Sequence, residues 1–120
     1  MKSYILILIA ICVFSFTAGA QSNIVTANLK VFGNCEMCKK RIETALDHRG
    51  IKKATWNVKT KNLEVVFNQR KISELEIHEL VAAAGNDTEK VKAKDDVYAS
   101  LPFCCLYRDN SGDSAFRHTR

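Results

Sequence analysis

The sequence lacks an apolar run long enough to cross a bilayer, holds a single proline, Pro102, and shows no basic stripe interleaved with aromatics. The longest apolar stretch, Tyr4 to Phe16, falls short of the ~20 residues that a spanning helix needs. It reads instead as the middle of a secretory leader: Lys2 supplies the positive start, and Ala18-Gly19-Ala20 before Gln21 has the small-residue pattern of a cleavage site. Residues 1–20 are therefore expected to be removed, Cys12 with them. Localisation then follows as export across the cytoplasmic membrane, to the periplasm. The net charge of +5 is spread along the chain, Lys39-Lys40-Arg41 excepted. Together with export, that spread excludes a nucleic-acid partner. What remains, Gln21 to Arg120, suffices for one small domain with a single core. It leaves no room for a large active-site cleft, and no enzyme is expected.

Hydropathy alternation and breaker residues divide this remainder into elements. Ala27, Leu29 and Val31 alternate with Asn28 and Lys30, as a half-buried strand requires. After Gly33-Asn34, Cys38, Ile42, Ala45 and Leu46 follow at helical spacing, and His48-Arg49-Gly50 has the cationic end and glycine stop of a helix over about 36 to 49. Ala54, Trp56 and Val58 alternate again. Lys59 to Asn62 is a turn, and Leu63, Val65 and Phe67 return as the second strand of a hairpin. Ser73 and Glu76 form a capping box, Ile72 and Ile77 stand at hydrophobic-staple spacing, and Gly85 ends the helix. Asp87 to Lys92 is a weak last strand. The order is βαββαβ, and right-handed crossovers predict the ferredoxin-like α+β sandwich: a four-stranded antiparallel sheet with two helices on one face.

Chemistry concentrates in the cysteines. Beyond Cys12 they are Cys35, Cys38, Cys104 and Cys105, in a chain expected where disulfides persist. Bridging the neighbours Cys104 and Cys105 needs a strained ring, so a fully oxidised chain would favour a cross-pairing. Cys35 and Cys38 fall at the start of the first helix, where unpaired backbone N–H groups and the macrodipole favour negative charge. Lys39, Lys40 and Arg41 add positive charge one turn on, so at least one thiol is expected to ionise readily. Two thiolates with no histidine set beside them make a soft, low-coordinate ligand pair that suits Cu(I). Tetrahedral zinc wants four ligands, and this loop supplies only these two.

Within that element order the stretch Val31 to Glu43, VFGNCEMCKKRIE, resembles the heavy-metal-associated domain of copper chaperones, metal-pumping ATPases and periplasmic mercury-binding proteins. The resemblance covers about residues 25 to 92, and it implies a domain over 21–93 followed by a C-terminal extension over 94–120. It implies Cys35 and Cys38 as metal ligands, Cu(I) as the cargo with Hg(II) or Zn(II) as other ions, and hand-over by ligand exchange. The implied partner is a membrane metal transporter or another metal-binding domain. A monomer is expected, with a metal-bridged dimer as the alternative. The chain departs from the family pattern in two places. Only Asn34 separates Gly33 from Cys35, and Asn86 follows Gly85 where the family usually places an aromatic or a lysine.

The family core has no counterpart to the extension. Asp95 to Leu101 is expected to form a turn or two of helix before Pro102, and the segment is read as folding back to bring Cys104, Cys105 or both towards Cys35 and Cys38. A disulfide staple, a partner contact and a separate metal site are the alternatives. Other residues carry blander readings. Met37 is an adaptable apolar contact, His78 a solvated surface residue beside the apolar face of its helix, and His48 a complement to the first helix's end. His118 lies in a polar tail, Arg108 to Arg120, expected to be mobile. Trp56 and Phe67 are core, and Glu43 and Asp47 a solvated face. The rival from another class is a small thiol–disulfide redox protein, since C-x-x-C at a helix start also fits disulfide exchange. Against it, Asn34 rather than an aromatic precedes Cys35, and the single proline neighbours the other cysteine pair. A metal-free, disulfide-stabilised interaction module is the third reading.

Overall fold

The computed structural model describes residues 22 to 110. Three strands, β1 (Ile24–Lys30), β2 (Ile51–Trp56) and β3 (Asn62–Asn68), form an antiparallel sheet in the order β1-β3-β2. Two ten-residue helices, α1 (Glu36–Ala45) and α2 (Glu74–Ala83), complete the central domain, and a short α3 (Asp95–Ala99) opens the C-terminal segment. Two 3-10 turns, Phe103–Cys105 and Tyr107–Asn110, follow α3. None of the described helices is long and apolar enough to cross a membrane. The leader read at residues 1–20, the cleavage site, Cys12 and His118 lie outside the described residues.

Period-two alternation sets the sheet's buried face. Leu29 on β1, Trp56 on β2 and Leu63, Val65 and Phe67 on β3 are buried and pack with Cys38 and Ile42 from α1, Leu46 just after it, and Ile77 and Val81 from α2. Each large side chain removed from water here contributes about 1.5–3 kcal/mol before ordering costs are set against it. Trp56 also satisfies its polar edge, donating its indole N–H to Val31 O at 3.0 Å. Lys61, at φ +62°, turns the hairpin between β2 and β3. At α2 the capping box is complete: Glu76 N–H reaches Ser73 Oγ at 3.1 Å and Ser73 N–H reaches Glu76 Oε2 at 2.7 Å. Ile72 and Ile77 are both buried in the same core.

Three expectations are corrected. The sheet has three strands rather than four among the described residues. The segment expected as the fourth pairs only in a single bridge, Thr88 to Val31, just past the end of β1. The physical reason is local competition. Thr88 N–H bonds Val91 O at 2.8 Å, Thr88 Oγ1 accepts from the N–H groups of Lys90 and Val91, and the Asp87 carboxylate takes Ala93 N–H at 2.7 Å. A chain folded on its own hydroxyl and carboxylate has no free ladder to offer. Second, α1 stops at Ala45, not near residue 49. Its end tightens through Leu46 N–H to Glu43 O and Asp47 N–H to Thr44 O, which carries Leu46 into the core. His48-Arg49-Gly50 is a separate turn in which Gly50 N–H donates to His48 Nδ1 at 3.0 Å and Ile51 N–H to His48 O at 2.9 Å. Third, His78 is fully buried rather than solvated.

The start of the expected mobile tail is pinned. Arg108 forks onto Asp87 (Nε to Oδ2 2.9 Å, Nη2 to Oδ1 2.6 Å), reaches Asp95 Oδ1 at 3.0 Å and Ala93 O at 2.8 Å, and lies 4.2 Å from the Tyr98 ring centroid. Residues 111–120 lie outside the described range.

Candidate metal centre

The loop from β1 into α1 is shaped by a close approach. A Cβ built on Gly33 would stand 2.9 Å from Trp56 Cη2 and 3.1 Å from Cys38 Cβ, so Trp56 packs where any larger residue would have its side chain. Cys35 then takes an extended conformation (φ −151°, ψ 173°) as the N-cap of α1, and its carbonyl accepts the first helical bond from Lys39 N–H at 3.2 Å. Cys38 sits one turn into the helix and is fully buried, whereas Cys35 is half-buried.

All four described cysteines carry free thiols. Cys35 Sγ and Cys38 Sγ stand 3.4 Å apart, and Cys38 Sγ–H donates to Asn34 Oδ1 at 3.3 Å. Cys105, fully buried, reaches in from the C-terminal segment with its Sγ 3.8 Å from Cys35 Sγ. The three sulfurs lie within 4.8 Å of one another, a separation that one soft ion can bridge. Cys104 does not join them. It is exposed, its Sγ–H donating to Met37 Sδ at 3.2 Å and its Sγ lying 3.9 Å from Cys105 Sγ.

Two thiols of the cluster are polarised in opposite directions. For Cys35, burial opposes ionisation, but the backbone N–H of Cys38 and then the thiols of Cys38, Cys105 and Cys104 stabilise the thiolate and hold its pKa below the ordinary thiol value. Cys105 is pushed up, first by burial and then because it serves as donor to Cys38 and Cys35. The expected help from basic neighbours is partly diverted. Lys39 Nζ is turned away onto both carboxylate oxygens of Glu43, at 2.9 and 2.7 Å, and onto Trp56 O at 3.0 Å. Readiness to ionise therefore comes from the helix start and from the sulfurs themselves.

The histidines stand apart from the cluster. His78 Nδ1 lies 2.6 Å from Thr88 Oγ1. That hydroxyl also accepts the N–H groups of Lys90 and Val91 and reaches Val91 O at 3.4 Å, while His78 Nε2 faces Glu74 Oε1 at 3.8 Å. His48 caps the turn after α1. Sequence reading assigned no role to three groups that shape the site: Asn34, as acceptor for Cys38; Asn86, buried and holding Phe32 O at 2.8 Å; and the Arg108 fork, which anchors the segment that carries Cys105. A signal existed only for Asn34, an acceptor adjacent to the first cysteine.

No family model matches the chain, and no curated protein matches it. Solved structures do. A copper binding domain from HMA7, a P-type ATPase, is 27% identical with a TM-score of 0.51, covering 53% of this chain and 89% of that one. Oxidised MerP from Ralstonia metallidurans CH34 is 25% identical with a TM-score of 0.52, covering 55% of this chain and 94% of that one. A CopZ metallochaperone, 24% identical with a TM-score of 0.52, covers 53% of this chain and 98% of that one and speaks for the fold alone. The chain resembles the heavy-metal-associated domains of copper chaperones and of MerP, and roughly its remaining half is not covered by them.

Proposed function

We propose that this domain, similar in fold to heavy-metal-associated domains, captures a soft thiophilic ion through Cys35 and Cys38 and buffers it or passes it to a membrane metal transporter or another metal-binding domain. Cu(I) is the favoured cargo, ahead of Hg(II) and Zn(II), and the protein works as an exported, periplasmic monomer without catalysing a reaction. The observation that carries this reading is the free thiol pair at 3.4 Å on the first turn of α1, with Cys35 poised to ionise. Thiolate pairs of low coordination number favour Cu(I) over the harder divalent ions. The neighbours whose printed names mention copper support that choice over zinc. Hand-over would proceed by ligand exchange, an incoming thiolate bonding the ion before an outgoing one departs.

The test is Cu(I) titration of the reduced chain against a competing chelator, with stoichiometry read by native mass spectrometry and the Cys35→Ala/Cys38→Ala double variant as control. One ion per chain, lost in the control, supports capture. No competitive binding, with a Cys35–Cys38 disulfide that exchanges freely with glutathione, moves the chain to the thiol–disulfide class.

A further inference from the structure

We propose that Cys105 is the third ligand of the captured ion, so that the C-terminal segment from Asp95 to Asn110 closes a three-thiolate site and retains its cargo against exchange. The inference rests on the ion-capture reading and deepens it.

A buried cysteine is ordinarily a small apolar filler. Cys105 differs in what surrounds its sulfur: Cys35 Sγ at 3.8 Å and Cys104 Sγ at 3.9 Å, with Cys38 Sγ inside the same 4.8 Å cluster. A filler needs carbon contacts and no convergence of thiols. Cys105 is also brought here at a cost. Ordering a chain segment costs about 1–2 kcal/mol per residue, and this one is held by separate anchors on either side of the cysteine. Leu101 packs on Gly85 before it; after it, Tyr107 donates its hydroxyl to Gly85 O at 3.2 Å and accepts Asp87 N–H at 2.6 Å, and Arg108 forks onto Asp87. Those anchors fix the 3-10 turn between them. On such a turn consecutive side chains diverge by about a third of a revolution, so one of two adjacent cysteines points inward and the other outward. Cys105 takes the inward place and Cys104 the outward one, on Met37.

On binding, the Cys105 S–H bond breaks, its proton goes to solvent and a sulfur–metal bond forms, with the ion's oxidation state unchanged. A two-cysteine site leaves a coordination position open to a partner's thiolate. Here Cys105 occupies it, so an incoming thiolate must displace Cys105 and the segment must lift before the ion leaves.

The deciding experiment is copper-edge X-ray absorption on the reduced full chain loaded with one equivalent of Cu(I), alongside Cys105→Ser, Cys104→Ser and Cys35→Ala/Cys38→Ala. Three sulfurs around copper are expected in the parent chain and in Cys104→Ser, and two in Cys105→Ser. The last should also hold Cu(I) at least about tenfold more weakly against a chelator, the lower bound seen even for groups that only support a ligand. Two sulfurs in the parent chain, unchanged in Cys105→Ser, would overturn the third ligand while leaving capture by Cys35 and Cys38 intact. A parent chain that retains no Cu(I) would overturn both readings. Should Cys105→Ser fail to fold, the sulfur count of the parent chain decides by itself.

Discussion

Cys105 Sγ lies 3.8 Å from Cys35 Sγ although 70 positions of sequence separate them. The contact joins a helix start, where a thiolate is favoured, to the C-terminal segment that follows α3. Its consequences reach both the chemistry of the thiols and the stability of the segment.

Thiol reactivity should follow exposure and ionisation together. Limited alkylation of the reduced chain with iodoacetamide, read by peptide mass spectrometry, is expected to modify exposed Cys104 and half-buried, readily ionised Cys35 well before Cys38 and Cys105, which are fully buried. Early modification of Cys105 would mean that the segment does not stay docked.

Gly85 takes φ +107°, and a Cβ there would stand 2.8 Å from Leu101 Cδ2. Gly85→Ala is expected to destabilise the fold by about 1–2 kcal/mol from the left-handed backbone alone. Because the new methyl group pushes on Leu101, urea unfolding should be accompanied by faster labelling of Cys105 in the native state. A stability loss with Cys105 still protected would separate the backbone effect from the docking.

Arg108 and Asp87 form a forked pair in which each side chain is 16% exposed. Arg108→Ala removes charge-assisted bonds worth about 1.5–3 kcal/mol each in partly buried settings. It takes the guanidinium from the Asp87 carboxylate, which keeps the Ala93 N–H. The expected result is a lower urea midpoint and faster loss of Cu(I) to a chelator, with the cysteines themselves untouched. An unchanged midpoint would show that Tyr107 and Leu101 suffice to hold the segment.

His78 links stability to pH. Its pKa is held below the usual imidazole range, first by burial and next by the charge of Lys90, against the opposing pull of Glu74. Protonation therefore favours the unfolded chain. The stabilisation is complete above the unfolded imidazole value and is lost as pH falls through that value towards the lower folded one. Stability measured by urea titration between neutral and mildly acidic pH should decline, and the decline should flatten in His78→Gln. An equal slope in both proteins would assign the acid sensitivity elsewhere.

How much of this was legible beforehand depends on the range of the interactions concerned. The hairpin of β2 and β3, the capping box of α2 and the placement of Cys35 and Cys38 at the start of α1 are local patterns, spanning a few residues each, and the structure holds all of them. The end of α1 was misjudged because Leu46 is drawn into the core and His48 bonds its own turn. The missing fourth strand had the same kind of cause. Thr88 and Asp87 read as indifferent strand residues, and only their hydroxyl and carboxylate contacts reveal that they fold the chain on itself. His78 was misplaced because its partner, Thr88, comes from another element.

By itself the sequence determined the periodicities, the caps and the C-x-x-C spacing, since a helix or a turn is specified by neighbours along the chain. It also supplied a second pair of cysteines with no address. Tertiary structure alone decided between them, because the choice depends on where Arg108, Tyr107 and Leu101 find partners on Asp87 and Gly85, contacts that no local pattern encodes. Those anchors set the rotation of one short turn, and that rotation puts Cys105 among the sulfurs and Cys104 outside them.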